Sequence, residues 1–298
     1  MTQWLFFALM APFLWGSMNV MDSILRKKFI KDDVAITWVM AITKLPFVFL
    51  FFALGGFDFP DWYSVGMILV AGAMWTFPVF LYFRAMEFEE PSRISLILQL
   101  SPLFTLTVAF FGIGERLNPD QTLGYVLILC GGLLAALKKT KKRWHFSPAF
   151  FYIVFAAFMW ASSDVMFKHF ELNFQTFLSA FAMYFLGSFL ISMILFSHPK
   201  NFKRIYHQVS TLPKSGYILV AIDQLFSLGA SFSFAYALTL GKASLTDAVT
   251  LTQPLFVLGF GILIARFFPH YHQENLSKTN LLPKVIAFAI IAIGLWML

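Results

Sequence analysis

The chain has 298 residues, of which 59% are hydrophobic and only 12% charged. A soluble domain carries about twice that share of charge, and a soluble interior of this size has no room for 39 phenylalanines, so lipid must act as a second solvent. The net charge of +7 would suit a nucleic-acid binder, but the Lys and Arg residues lie in short loops between apolar runs. That is the pattern of membrane topology signals, so the expected surroundings are a lipid bilayer and no nucleic acid.

In chain order, ten apolar segments can be marked, at about 4–25, 34–54, 62–83, 94–113, 119–137, 148–167, 174–196, 217–238, 244–265 and 281–298. Each is close to the ~20 residues a helix needs to cross hydrocarbon. The first follows Met1 with no basic n-region and no small-residue cleavage site, so it reads as a retained span rather than a signal peptide. Period-two alternation is absent, which argues against a membrane barrel. The single Cys130 lies inside an apolar segment, so disulfides play no part. The longest connections are 197–216 and 266–280; the first carries Lys200, Lys203, Arg204, Tyr206 and His207 and is expected to lie along the lipid headgroups.

The two halves of the chain resemble each other. Trp15, Ser17, Val20 and Met21 meet Trp160, Ser162, Val165 and Met166 at an offset of 145. Ala85, Ser92, Pro102, Leu103 and Phe104 meet Ala237, Ser244, Pro254, Leu255 and Phe256 at an offset of 152. Two matches at nearly one offset imply a duplicated five-helix unit, at 1–137 and 148–298, joined by a basic linker at 138–147. Five is odd, so the second unit enters the membrane from the opposite side. The expected fold is therefore all-α and integral to the membrane, with ten transmembrane helices as two inverted five-helix repeats around a central cavity.

Three features carry a family resemblance. They are Trp15-Gly16-Ser17-Met18-Asn19-Val20 in the first segment, Ser101-Pro102-Leu103-Phe104 in the fourth, and Gly114-Glu115-Arg116-Leu117 closing it. With the glycines of the fifth segment (Gly124, Gly131, Gly132), they resemble the EamA-domain family of the drug/metabolite transporter superfamily. The resemblance implies ten helices around a cavity and transport of small metabolites, amino acids or related compounds foremost. The second copy departs from it, with Ala265-Arg266-Phe267-Phe268 where the family often repeats the acidic motif.

Polar groups inside spans are costly and mark the places to look for a pathway. Lys44 lies near the middle of the second segment, just before Pro46. It reads either as a cavity cation for an acidic group or as a structural lysine bonded to helix carbonyls freed near the proline. Asp223, Ser227 and Ser231 fall at i, i+4 and i+8 on one face of the eighth segment, which must look at a cavity or another helix. Asp223 is the candidate for proton coupling or for binding a substrate amine, against a plain interhelical contact. Asp247, Thr250 and Pro254 in the ninth segment mirror Ser95, Gln99 and Pro102 in the fourth. Asp247 also suits the positive end of its own helix. Pro102 and Pro254 are expected to kink both helices at matched depth, as gating or as static features.

Trp15, Asn19 and Asp22 form a stripe on the first segment, and Trp160, Asp164 and Lys168 a similar one on the sixth. Trp75 and Tyr82 on the third and Tyr236 on the eighth offer an aromatic lining, or ordinary packing. All six histidines fall in or near loops, and His270 and His272 lack a third ligand, so no metal and no cofactor are expected. With no phosphate loop, zincin motif or nucleophile elbow, the chain reads as a transporter and not an enzyme. Small-molecule flux would be driven by a proton or substrate gradient, in a monomer or weak dimer. The alternatives are a carrier of lipid-linked or nucleotide-linked sugars and, behind it, a membrane-embedded enzyme or receptor. Eighteen Lys and Arg residues fall in the odd-numbered loops and three in the even ones. That bias places the odd loops in the cytoplasm and both termini outside, against the family's usual arrangement, in a plasma (inner) membrane.

Overall fold

The structure, a computed structural model, describes residues 3–85, 87–88, 94, 97–98, 100–136, 148–196, 198–253, 255–257, 259–260, 286 and 289–297. Gln99, Pro254, the linker 138–147 and the loop 266–280, with His145, His270 and His272, lie outside the described residues. Among those described, the structure is all helical, with no strand.

Helix α1 (Gln3–Ile24) passes into a π-helical turn (Leu25–Phe29). Then come α2 (Asp33–Ile42), α3 (Leu45–Gly55), α4 (Trp62–Ala85), α5 (Ser101–Ile113) and α6 (Pro119–Ala136). The second half holds α7 (Pro148–Glu171), α8 (Phe177–Phe196), α9 (Pro199–Ser210), α10 (Lys214–Leu240) and α11 (Ala243–Thr250). Among the described residues, five stretches are long and apolar enough to cross a membrane: Asp33–Gly55, Trp62–Ala85, Pro148–Glu171, Phe177–Ile194 and Lys214–Leu240. Large apolar side chains such as Phe111 (81% exposed) and Ile194 (75%) face outward, as a lipid environment requires.

The main core lies where α3, α4, α7 and α8 meet, around Phe51, Ile68, Phe167, Phe181 and Phe185. Hydrophobicity cannot drive helices together in lipid, so close approach must. At the crossing of α4 and α8, a Cβ on Gly72 would run into the Tyr184 carbonyl, and one on Gly187 into that of Leu69. The two glycines let the backbones touch.

Three spans are interrupted, each two or three residues before a proline in the sequence. The second segment, expected as one helix, divides between α2 and α3 at Thr43 and Lys44, ahead of Pro46. The fourth restarts as α5 after Leu100, ahead of Pro102. The ninth halts at Leu251 and Thr252, ahead of Pro254. Proline has no N–H to give and its ring crowds the preceding turn, so the chain tightens there. Three-residue hydrogen bonds mark each break: Lys44 N to Ala41 O (3.2 Å), Leu100 N to Ile97 O (3.0 Å) and Thr252 N to Val249 O (3.0 Å). Pro102 thus opens a helix rather than bending one.

The loops sort to two ends of the molecule. At one end Arg26 pairs with Glu87 (3.7 Å), Arg84 with Asp33 (3.4 Å) and Glu87 (2.9 Å), and Arg204 with Asp32 (2.5 Å), joining loops one, three and seven. At the other, Asp58 accepts from the Gln175 amide (2.6 Å) and Lys168 pairs with Glu115 (3.3 Å). Lys242 donates to the Arg116 carbonyl (2.5 Å), so loops two, four, six and eight meet there.

Candidate functional site

Lys44 stands at the α2–α3 break, 6% exposed. Its ammonium donates to Ser188 Oγ on α8 (2.8 Å), and lies 3.8 Å from the centre of the Trp75 ring and 5.4 Å from that of Phe185. Ser188 is in turn bonded to the Thr76 hydroxyl. Trp75 is fixed from the far side, where its carbonyl accepts from Trp160 Nε1 (3.0 Å). A lysine at mid-membrane costs about 2.5–3.5 kcal/mol. A desolvated cation–π contact of about 2 kcal/mol and a charged hydrogen bond of about 1.5–3 kcal/mol are enough to offset that. Among the described residues the ammonium has no carboxylate beside it and makes no bond to carbonyls freed near Pro46. Two of its three N–H groups have no acceptor among the described residues.

Asp223 on α10 is fully buried, and Asp22 on α1 nearly so at 9% exposed. The two carboxylates are near enough to repel each other, and Tyr82 on α4 lies within the field of Asp22. Asp223 Oδ2 accepts from Gln224 Nε2 (3.0 Å), while Asp223 Oδ1 and Asp22 Oδ1 are buried with no hydrogen-bond partner among the described residues. Gln224 is oriented by Thr43, whose hydroxyl donates to Gln224 Oε1 (2.9 Å). A continuous polar path thus runs from Asp223 through Gln224 to Thr43, the residue before Lys44.

Asp247 on α11 is equally buried but well supplied. It accepts from the hydroxyls of Thr105, Ser101 (3.1 Å) and Thr250 (3.3 Å). Ser101 and Thr105 belong to the first turns of α5, so Asp247 ties the break in the fourth span to the ninth. Asp164 on α7 and Tyr125 on α6 lie within its electrostatic reach, and the Tyr125 hydroxyl is buried without a partner among the described residues.

The Gly-Glu-Arg-Leu motif occupies one end of the bundle. Gly114 closes α5 with φ +68, a left-handed conformation that glycine adopts freely. The turn aims Glu115 at the start of α11, where it accepts from the amides of Ala243 (2.8 Å) and Ser244 (3.0 Å), from the Ser244 hydroxyl, and from Lys168 (3.3 Å). Burial pushes the Glu115 carboxyl up, but the bonds from Ser244 and Ala243 and the Lys168 charge outweigh it, and the net shift is downward. Asn118 and Gln121 then cap α6 reciprocally, Gln121 N to Asn118 Oδ1 at 2.8 Å and Asn118 N to Gln121 Oε1 at 3.2 Å.

Of the residues singled out in the sequence, the structure brings together Lys44, Trp75 and Trp160. Ser227 lies buried on the Asp223 face. Trp15 packs on Phe234 (5.2 Å), and Tyr236 sits among Phe7, Phe177 and Phe232, both within aromatic clusters. Asn19 is half-buried and makes no side-chain hydrogen bond among the described residues. Sequence reasoning missed Ser188, Thr76, Thr43 and Gln224. It had Asp22 on a stripe without singling it out; the charge inside an apolar run was the available signal.

Among known proteins, the chain matches the model of the EamA-like transporter family over residues 2–137 and again over 147–298. It is similar to the inner membrane transporter YhbE of Escherichia coli strain K12, at 23% identity over 301 residues, covering 96% of this chain and 88% of that protein. YhbE of Shigella flexneri matches with the same figures, 23% identity and 96% of this chain. A solved crystal structure superposes with a TM-score of 0.68 at 17% identity, covering 98% of this chain and 94% of that one, which shows the shared fold.

Proposed function

The chain belongs to the EamA-like transporter family, and on that premise we propose that it is a secondary transporter of small organic metabolites, amino acids or related compounds foremost. It is a multi-pass protein of the inner membrane, as its similarity to YhbE and its apolar helices support. Two inverted five-helix units, 1–137 and 148–298, rock against each other to expose a shared site to each side in turn. Both the doubled family match and the sorting of alternate loops to opposite ends support this architecture. The driving force is a proton or substrate gradient.

The observation that carries the proposal is the polar path at the α2–α3 break. Discontinuous helices near mid-membrane are where transporters of this kind build their sites. Here Lys44 has two N–H groups without an acceptor among the described residues, and Asp223 and Asp22 each have a carboxylate oxygen without a donor among them. Trp75 and Tyr82 flank them. A zwitterionic metabolite carries the opposite charges that this cation and these carboxylates would take. The test is counterflow in proteoliposomes with labelled amino acids, set beside labelled nucleotide sugars. Accelerated exchange of an amino acid is expected; exchange of the nucleotide sugar alone would replace this reading with the sugar-carrier one.

Orientation follows from the Lys and Arg bias: the odd loops are cytoplasmic. With Cys130 replaced, Thr140→Cys should resist an impermeant maleimide added to intact cells. Ready labelling would restore the orientation usual in the family.

A further inference from the structure

Helix α9 (Pro199–Ser210) is short and amphipathic, and its apolar face is only partly covered by protein. At 3.6 residues per turn, Phe202, Ile205, Tyr206 and Val209 share one face, and Lys200, Lys203, Arg204 and His207 the opposite one. Only part of the apolar face meets protein. Ile205 is 3% exposed and packs with Leu25, Ile30, Val34 and Phe83. Phe202 and Tyr206, one turn apart and stacked at 6.4 Å, remain 58% and 66% exposed.

The helix is held in place from its other flank. Arg204 clamps Asp32, with Nε at 2.8 Å and Nη2 at 2.5 Å, and Gln208 Oε1 accepts from the Lys31 amide (3.2 Å). Asp32 is also the N-cap of α2, so α9 is fastened to the start of the interrupted span. Arg204 is thereby neutralised, whereas Lys200 and Lys203 stay exposed with no ion pair among the described residues. Lys203 borders Tyr206 on the face turned away from the protein.

We propose that this outer face of α9 is a binding site for an anionic phospholipid. An acyl chain lies along Phe202 and Tyr206, and the headgroup phosphate is held by Lys203 and Lys200. An amphipathic helix of this kind lies in the interface plane with its apolar face a few ångströms below the phosphates. A basic residue there favours anionic over zwitterionic lipid by about 1 kcal/mol, and two together favour it by more than tenfold. The protein-facing residues set the depth and register of the helix, so the seat is preformed.

The test uses the full chain in nanodiscs of phosphatidylglycerol and phosphatidylcholine in equal parts, with retained lipid identified by native mass spectrometry. The wild type should retain phosphatidylglycerol preferentially, and Lys200→Gln/Lys203→Gln should lower that preference about tenfold. Equal retention of both lipids by the wild type, or an unchanged preference in the double variant, would overturn the proposal. A second measurement guards against an indirect effect. With Cys130 replaced, Phe202→Cys carrying an environment-sensitive dye should be quenched by lipid-borne quencher and shielded from aqueous iodide. Full iodide access would show that the face meets water or a protein partner instead, and would also overturn it.

Discussion

Asp247 and Asp223 are both buried carboxylates on helices of the second half, yet their surroundings differ in kind. Asp247 accepts from three hydroxyls on two helices, and those bonds tie α5 to α11. Asp223 has one donor among the described residues, the neighbouring Gln224, and its second oxygen is buried without a partner there, as is one oxygen of Asp22. A buried acceptor left without a donor costs about 1–3 kcal/mol. A stable fold has no structural reason to keep two of them. The contrast separates a carboxylate that holds helices together from one that is left short of donors among the described residues, as the proposed site requires.

The largest effect expected from that contrast is on flux. Asp223→Asn should insert and fold, because Gln224 and Thr43 remain beside it, but it should abolish uptake driven by a pH gradient, since an amide cannot cycle a proton. Uptake in proteoliposomes with an imposed gradient measures this. Full gradient-driven uptake by the variant would make Asp223 structural and dissolve the contrast. Lys44→Met comes next. It should weaken substrate binding about tenfold, the loss of one charged contact, while thermal stability holds or rises because an isolated buried charge has been removed. Normal affinity in a more stable protein would mean that the lysine is only tolerated.

Asp247→Ala should do the reverse of Asp223→Asn. It strands the hydroxyls of Ser101 and Thr105 and unties α5 from α11, at about 2–3 kcal/mol. A lowered melting temperature in detergent with residual transport in surviving protein is the expected outcome. A variant of normal stability that fails to transport would move Asp247 to the ligand-binding side of the comparison.

How much of this was legible beforehand depended on chemistry. Lys44, Asp223 and Asp247 stand out in the sequence because a charge inside an apolar run is rare. Ser188, Thr76 and Thr43 do not, because hydroxyls in apolar helices commonly bond back to a carbonyl one turn earlier, as Ser192 does to Ser188 and Ser162 to Phe158. Nothing in their spacing tells the two uses apart. Aromatic stripes posed the same difficulty, since lining and packing share one periodicity; Trp75 lies under Lys44, whereas Trp15 packs at a tilt against Phe234. The second span read as one helix because it is apolar on both sides of Thr43. Only the pairing of Lys44 with Ser188 and of Thr43 with Gln224 makes the break at Pro46 a place where polar groups converge. The prolines themselves were visible, but whether each bends a helix or starts one is decided by its neighbours.

The smallest expected effect belongs to Glu115, the acidic member of the motif that carried the family resemblance. It resembles Asp247 in being fully supplied, but it lies in a loop at one end of the bundle. Its carboxyl is held below its ordinary value, so the charged form is favoured by folding. The sign follows directly: the stabilisation is fully present above the unfolded value of about 4.3, and is lost as pH falls through the folded one. Acidification from pH 6 toward pH 3 should therefore lower the melting temperature of the wild type. Glu115→Gln should be less stable than the wild type at pH 6, because an amide accepts less strongly from Ser244, Ala243 and Lys168. It should lose less on acidification, since it has no proton to gain. Parallel slopes in the two proteins would mean that the bonds of Glu115 to the start of α11 do not bear on stability, leaving Lys242 and Gln121 to hold that end together.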